Sequence, residues 1–493
     1  MKFASFCLSL AAVLLIPAAA GSQTNKSTSP TWWDKYQYLK NNGEAAKTST
    51  ATAYSGANTD VSNECFPQSE VFIALNQNKS RTLAAGSNEI FRDPMRGYFS
   101  ADGGNSWGSV DLPLPASLSG TNDSRFGSDP SLAFDTKGNV FYSYIVVFFG
   151  GGNGVNGSEM AVARSSDGGK SYPNVNFFSF ETGSNHFNDK PMITTDTNAN
   201  SPFKDNAYVV WDASAGGSAG GGVRFGRSSD AGSTFAVGRA DDPGGPGKAI
   251  GADPFVGPNG EVYVAWNDYA ANAIAFNRSF DGGATWDKQS YIALKNLAFD
   301  IAIPAEFNRG ALVYPACDSD RSNGPNRGRI YCSWMDLASG GNTQIYMAYS
   351  DDRGSHWSAA QNVGDALTNV DRFNHWMSVD PTNGEVNVAF YDTRNDTTGS
   401  RYMTDYYLAR SAAGGTSFGP DVRASDQSSN EHDCNGIFPC QFINYGNQQG
   451  DYAGLVAFGG TAHPIWVDSR RNSETSSSCS RGLMEEVFTT SIK

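Results

Sequence analysis

After its first twenty residues this chain has no apolar run long enough to span a bilayer. It also lacks an excess of basic residues. Lys and Arg total 36 against 50 Asp and Glu, a formal net charge of −14, which argues against nucleic acid or an anionic membrane as partner. Charge of either sign is scarce, at 17% of residues. Cys-x-x-Cys spacing and Cys/His pairing are missing too, which sets zinc aside. What is plentiful is glycine, 54 of 493 residues, with aromatics at 12%. That is a composition for many short strands joined by tight turns rather than for long helices.

The opening twenty residues read as a secretory signal. Lys2 supplies a positive start, "FCLSLAAVLLIPAAA" the apolar stretch and "AAAG" the small residues of a cleavage site. The expected organisation is signal 1–20, an extension with a closing strand over 21–62, and one repeat domain over 63–493. The expected location is secreted, extracellular or periplasmic. Six cysteines follow the signal, an even number suited to an oxidising compartment. Cys317 and Cys332 flank an expected hairpin, Cys434 and Cys440 close a short loop, and Cys65 and Cys479 remain near the two ends. The expected bridges are Cys317–Cys332, Cys434–Cys440 and Cys65–Cys479.

One octet recurs along the chain. It reads "SADGGNSW" at Ser100, "SSDGGKSY" at Ser165, "SSDAGSTF" at Ser228, "SFDGGATW" at Ser279 and "SDDRGSHW" at Ser350, with a degenerate "SAAGGTSF" at Ser411. The spacing of roughly 50 to 70 residues is that of propeller blades. Each interval holds an apolar first strand, a turn, a second strand ending in an aromatic and often Asp, a third strand, the octet, and a fourth strand. Seven first strands can be counted, beginning at Glu70, Asp129, Asp189, Asp253, Arg309, His375 and Asp451. The last cycle lacks its fourth strand, and "TSTATAYSG" is the expected donor. The fold expected is therefore all-β, a seven-bladed β-propeller, with a six-bladed one as the alternative. "SPTWWDKYQYLKNNG" is expected to form a short helix outside the ring.

The pattern Ser-x-Asp-x-Gly-x-x-aromatic resembles the Asp-box, or BNR, repeat of sialidases and related propellers, over nearly all of the chain after the signal. The Asp can accept amide bonds across a tight turn, the Gly permits a backbone other residues avoid, and the aromatic packs between sheets. If first strands descend from a top face, the octets fall on the bottom rim, so they are clips and the chemistry belongs at the top. The resemblance implies a tyrosine nucleophile helped by an acid, and three arginines gripping a substrate carboxylate. The nearest match to the first arginine motif is "FRDP" at Phe91–Pro94, with Asp in place of Ile.

The seven first-strand starts should converge on the channel mouth. Asp129, Asp189, Asp253 and Asp451 are the candidate acids there, with Glu70, and Arg309 is a candidate anchor for a substrate carboxylate. His375 is a candidate general acid or base. Tyr445 and Tyr452 are candidate nucleophiles, and Glu431, His432 and Asp433 form a polar cluster expected to touch substrate. Asp212, Asp268, Asp336, Asp392 and Asp468, at second-strand ends, are expected mainly to cap turns. Clustered carboxylates repel unless they share a proton, an arginine or a cation. A structural Ca²⁺ would answer that need, water is the other answer, and no cofactor is required. The expected partner is a glycan or glycoconjugate, met by a monomer. Three functions fit: an exo-α-sialidase-like glycoside hydrolase acting on an acidic glycan, a polysaccharide lyase on uronates, or a non-catalytic binding propeller.

Overall fold

A computed structural model of the chain describes residues 31–44, 54–64, 66–118, 124–150, 154–183, 187–213, 222–242, 249–297, 299–307, 309–412, 414–432, 448–471 and 485–493. The signal stretch, Cys65, Cys434, Cys440 and Cys479 lie outside the described residues, and so do the two bridges they were expected to form.

Seven antiparallel sheets follow one another, each built on four strands, in simple meander order in all but the last. They span 68–111, 124–182, 188–239, 249–294, 315–362, 372–423 and 454–489, and are called blades 1 to 7 in that order. First strands touch their neighbours all the way round, and that of blade 7 returns to that of blade 1. The fold is the expected seven-bladed propeller. Second strands such as Ala207–Ala213 ("AYVVWDA") are rich in β-branched and aromatic residues and wholly buried, because both faces are covered by adjacent blades.

The ring closes by strand exchange. Thr59–Asp60 pairs with Glu486–Thr489 as the fourth strand of blade 7. The donor therefore lies just beyond the expected "TSTATAYSG". Tyr54 of that stretch acts as a wedge instead, its ring meeting Phe488 edge-on at 5.3 Å. Arg471 bonds Asp60 at 2.6 Å and Asn63 at 3.0 Å, and Val61 N–H bonds Val487 O at 2.7 Å. The helix Thr31–Asn42 sits outside the ring, as expected. Tyr36 stacks on Phe149 at 4.6 Å, and Gly43, at φ 72°, ends the helix with a bond from its amide to Leu39 O. Cys317 and Cys332 face each other across the first two strands of blade 5 and are disulfide-bonded.

All six octets join third to fourth strands, on the rim opposite the first-strand starts. Asp281 accepts from Ser279 Oγ, Ala284 N, Thr285 N and Thr285 Oγ1 at 2.6–2.9 Å. Burial opposes its ionisation, but those donors hold its carboxyl down at about 2. The octet's aromatic packs on the preceding blade, Trp286 against Phe225 at 4.8 Å and Trp357 against Phe276 at 5.3 Å. A Cβ on Gly283, at φ 78°, would come within 2.2 Å of the Phe225 ring. The degenerate octet keeps the serine part of the clip, Ser411 Oγ accepting from Gly415 N at 3.1 Å.

Arg471→Met leaves Asp60 buried without its guanidinium and should cost about 3–5 kcal/mol, with Asp60→Asn in the same chain recovering part of it. Urea denaturation checks this, and an unchanged midpoint for the single variant overturns the closure. Asp281→Ala should cost about 1–2 kcal/mol for the lost turn bonds. Activity per folded molecule should hold, as paired melting and turnover measurements will show.

Candidate functional site

The top of the channel is built by a repeated irregularity. The register of first against second strand skips between Ser69 and Val71, Ser128 and Ser131, Asp189 and Met192, Ile250 and Asp253, and Phe373 and Trp376. At each bulge one residue takes a left-handed backbone: Glu70 (φ 50°), Asp129 (62°), Lys190 (45°), Gly251 (69°) and Asn374 (46°). Only Gly adopts this freely, and the others bear on the order of 1 kcal/mol of strain each. A bulge re-aims its side chain, and here it sets polar groups around one end of the axis.

Aligned on the bulges, the equivalents of Glu70 and Asp129 are Lys190, Gly251 and Asn374, rather than the expected Asp189, Asp253 and His375. The difference reassigns roles. Asp253 lies beyond its bulge and accepts from Cys317 N of the next blade at 2.7 Å. Burial pushes its carboxyl up to about 8. Asp212 does the same for Gly251 N at 2.6 Å, and burial holds it at about 7. His375 is buried, and burial pushes its imidazole down to about 4 although a backbone bond at Ser333 opposes this. It is neutral near pH 7 and so has no proton to give as the general acid the sequence suggested. Asp268 and Asp336 cap loops, Asp336 accepting from Asn296 N and Leu297 N, whereas Asp392 pairs with Arg372 and Arg394 and Asp468 with Arg470.

Glu70, Asp129 and Asp189 converge. Asn88 Nδ2 donates to Glu70 Oε2 at 2.6 Å, and Asn88 Oδ1 accepts from Asp129 N at 2.8 Å. Lys190 N donates to Asp129 Oδ2 at 3.2 Å and to Asp189 Oδ1 at 3.0 Å. Burial, then the charge of Asp129 and a hydrogen bond to it, push both Glu70 and Asp189 well above the carboxylate range. Burial and mutual repulsion thus favour the protonated forms of Glu70 and Asp189. Among the described residues no group of three His, Cys, Asp or Glu is arranged to hold a metal ion.

The cation at the centre of this ring is Lys190. Its Nζ lies 4.2 Å from the Tyr314 ring centre, 4.3 Å from that of Tyr452 and 5.7 Å from that of Trp376. Burial lowers its pKa, while Asp212, Asp253, Asp129 and Asp451 pull the other way. Tyr452 donates to Pro130 O at 3.1 Å, and burial raises its phenol well above the usual range. Arg309 is not on a first strand. "RGALVY" was expected to be that of blade 5, but Ala311–Leu312 pairs with Asp300–Ile301 in a small separate hairpin after Gly310 (φ 72°), and the blade begins at Pro315–Ser319. Arg309 instead grips Asp451 in a bidentate fork, Nε to Oδ1 at 2.6 Å and Nη2 to Oδ2 at 2.5 Å. Tyr314 OH donates to the same Oδ2 at 3.2 Å.

A second buried group adjoins the first. Glu306, Glu431 and Glu485 influence one another electrostatically, and Glu306 is also near Arg309 and Asp451. Burial, then Glu431, raises both Glu306 and Glu485 well above the usual range. Glu431 accepts from Ser429 Oγ at 3.1 Å. His432 Nε2 meets Pro304 O at 2.8 Å. Asp433 and Tyr445 lie outside the described residues. Arg92, in "FRDP", is held by Asp111 at 2.6 Å and so serves blade 1. Tyr314, Asn88 and Glu306 escaped the sequence reading, and Lys190 was not given its central place. Aligning "SDP" with "DKP" on proline would have set Lys190 opposite Asp129.

No protein-family model matches this chain, and no curated protein does. Solved structures that it resembles include a Hadza microbial sialidase, at 13% identity over 68% of this chain and 66% of that one, with a TM-score of 0.47. The leech intramolecular trans-sialidase follows at 12% identity, over 72% of this chain and 68% of that one, with a TM-score of 0.45. The α-L-arabinanase of Penicillium chrysogenum stands at 14%, over 74% and 93%, with a TM-score of 0.40. These are likenesses of fold.

The raised acids predict how stability varies with pH. Glu70, Glu89, Asp93, Asp189, Asp212, Asp253, Glu306 and Glu485 keep protons in the folded state that the unfolded chain releases above pH ~4. Stability from them is full below that pH and is lost as pH rises through their folded values, about 7 to 8 where these are moderate. Buried His375 and His463, both at about 4, act oppositely between pH 4 and ~6.5 but are outnumbered. The octet acids lose their contribution as pH falls from ~4 toward 2. The melting temperature should peak near pH ~4–5 and fall steadily from there to pH ~8. A maximum above pH 8 overturns the protonated-acid account.

Proposed function

We propose that the chain is a secreted, sialidase-like glycoside hydrolase that acts on an acidic glycan at the top of the channel. The observation that carries this reading is the meeting of Lys190, proton-bearing Glu70 and Asp189, and the Tyr314–Asp451 hydrogen bond around one axis. Lys190 supplies the positive charge that a sugar carboxylate needs. Asp189 or Glu70, still protonated near neutral pH, can donate to the departing glycosidic oxygen. Tyr314 Oη attacks the anomeric carbon while its proton passes to Asp451. That transfer accompanies the attack, because burial keeps the phenol from ionising beforehand. Water then releases the sugar with retention, the first acid acting as base. The Arg309 guanidinium steadies Asp451 and is a quarter exposed, so ligand approaches along it. Export is supported by the signal-like start and the Cys317–Cys332 bridge.

The test is release of 4-methylumbelliferone from its N-acetylneuraminic acid glycoside. Tyr314→Phe should lower turnover on the order of a hundredfold or more with an unchanged melting temperature. Lys190→Met should chiefly raise KM. Full activity in both variants removes the assignment. Failure of the wild type on this sialoside, with unsaturated uronate released from pectate, identifies the lyase instead. Binding without turnover of either identifies a binding propeller.

A further inference from the structure

Beside the axial site three rings pack together. His432 stacks on Tyr402 with centroids 3.7 Å apart and planes 19° from parallel, and Phe307 packs on His432 at 4.2 Å. His432 Nε2 lies 2.8 Å from Pro304 O, so this nitrogen carries the hydrogen and the imidazole is fixed. Tyr402 ends the stack and is 39% exposed.

The loop that presents Tyr402 is held rigidly. Asp396 Oδ1 accepts from Thr398 N and Oγ1 at 2.7 and 2.6 Å, and Oδ2 accepts from Tyr402 N and Met403 N at 2.6 and 3.3 Å. Arg401, just before the tyrosine, has a left-handed backbone (φ 59°) and is tied to Asp371 at 3.1 Å. A strained non-glycine residue persists only where its surroundings over-determine it, and such strain gathers at ligand clamps. An aromatic backed by another ring, on a fixed loop, loses little freedom when it binds.

The stack shares segments with the axial site: Phe307 lies two residues from Arg309, and His432 follows Glu431. We infer that Tyr402 is the floor of a second sugar position, taking the C–H face of a neutral pyranose in the glycan whose acidic sugar reaches Lys190. This inference rests on reading the top face as a glycan site. The planar ring offers apolar area to the sugar's C–H groups while the hydroxyls stay in water.

Saturation-transfer NMR with lactose as probe tests this directly. Lactose has no acidic sugar, so binding is read independently of sialoside hydrolysis, and either reading can fail without the other. Wild type and Tyr402→Phe should transfer saturation to the pyranose protons. Tyr402→Ala and Tyr402→Leu, with unchanged melting, should bind about three- to tenfold more weakly. No transfer in the wild type, or equal transfer in the alanine and leucine variants, overturns the proposal. Should alanine lower the melting temperature, the leucine variant decides.

Discussion

A backbone amide of one blade bonded to a side-chain oxygen of the blade before it is the interaction on which this ring depends. First strands fan around the axis with one edge uncovered, and an unpaired buried amide is costly. Here Asp129 takes Lys190 N, Asp253 takes Cys317 N, Asp318 takes Val379 N, Ser131 takes Ile193 N and Ser378 takes Ala457 N. Each bond satisfies an inner edge and fixes one blade against the next. The axis must therefore be polar, whatever the protein does.

That requirement explains why acids at the axis are poor evidence of chemistry taken one at a time. Asp253 and Asp318 are consumed by stitching. Asp129 both stitches and lies against Glu70 and Asp189. What stitching does not require is a lysine inside an aromatic cage, or a tyrosine donating to a carboxylate already forked by arginine. Those groups are the ones that point to chemistry, because the fold alone does not call for them.

The octets were legible because their physics is local: eight consecutive residues contain donors, acceptor and glycine, so pattern and geometry coincide. Blade number followed from counting them with their strands. The axial residues were legible only to within one or two positions. A bulge adds a residue that no alternation of apolar and polar residues reveals, and that shift exchanged Lys190 for Asp189 and Asn374 for His375. Arg309 was misplaced for a different reason. "RGALVY" has a strand's composition but pairs in a separate two-residue hairpin, and only tertiary contact decides which strand an apolar segment joins. The nearness of Tyr314 to Asp451, 137 residues apart, has no local signal at all.

The two rims of the propeller thus divide the work. On the bottom, each of the five full octets settles its polar groups within its own turn, and its carboxylate ionises more readily than a free one. On the top, bulges hold side chains in left-handed positions, and carboxyls there ionise less readily than free ones. Strain and misplaced protons lower stability wherever they occur, so they persist only if the remainder of the ring offsets them. The repeated clips and the strand exchange at Thr59–Asp60 are suited to that, since they act far from the channel mouth and at every blade boundary or at the seam. A ring clipped at one face can carry an acid-rich, strained site at the other.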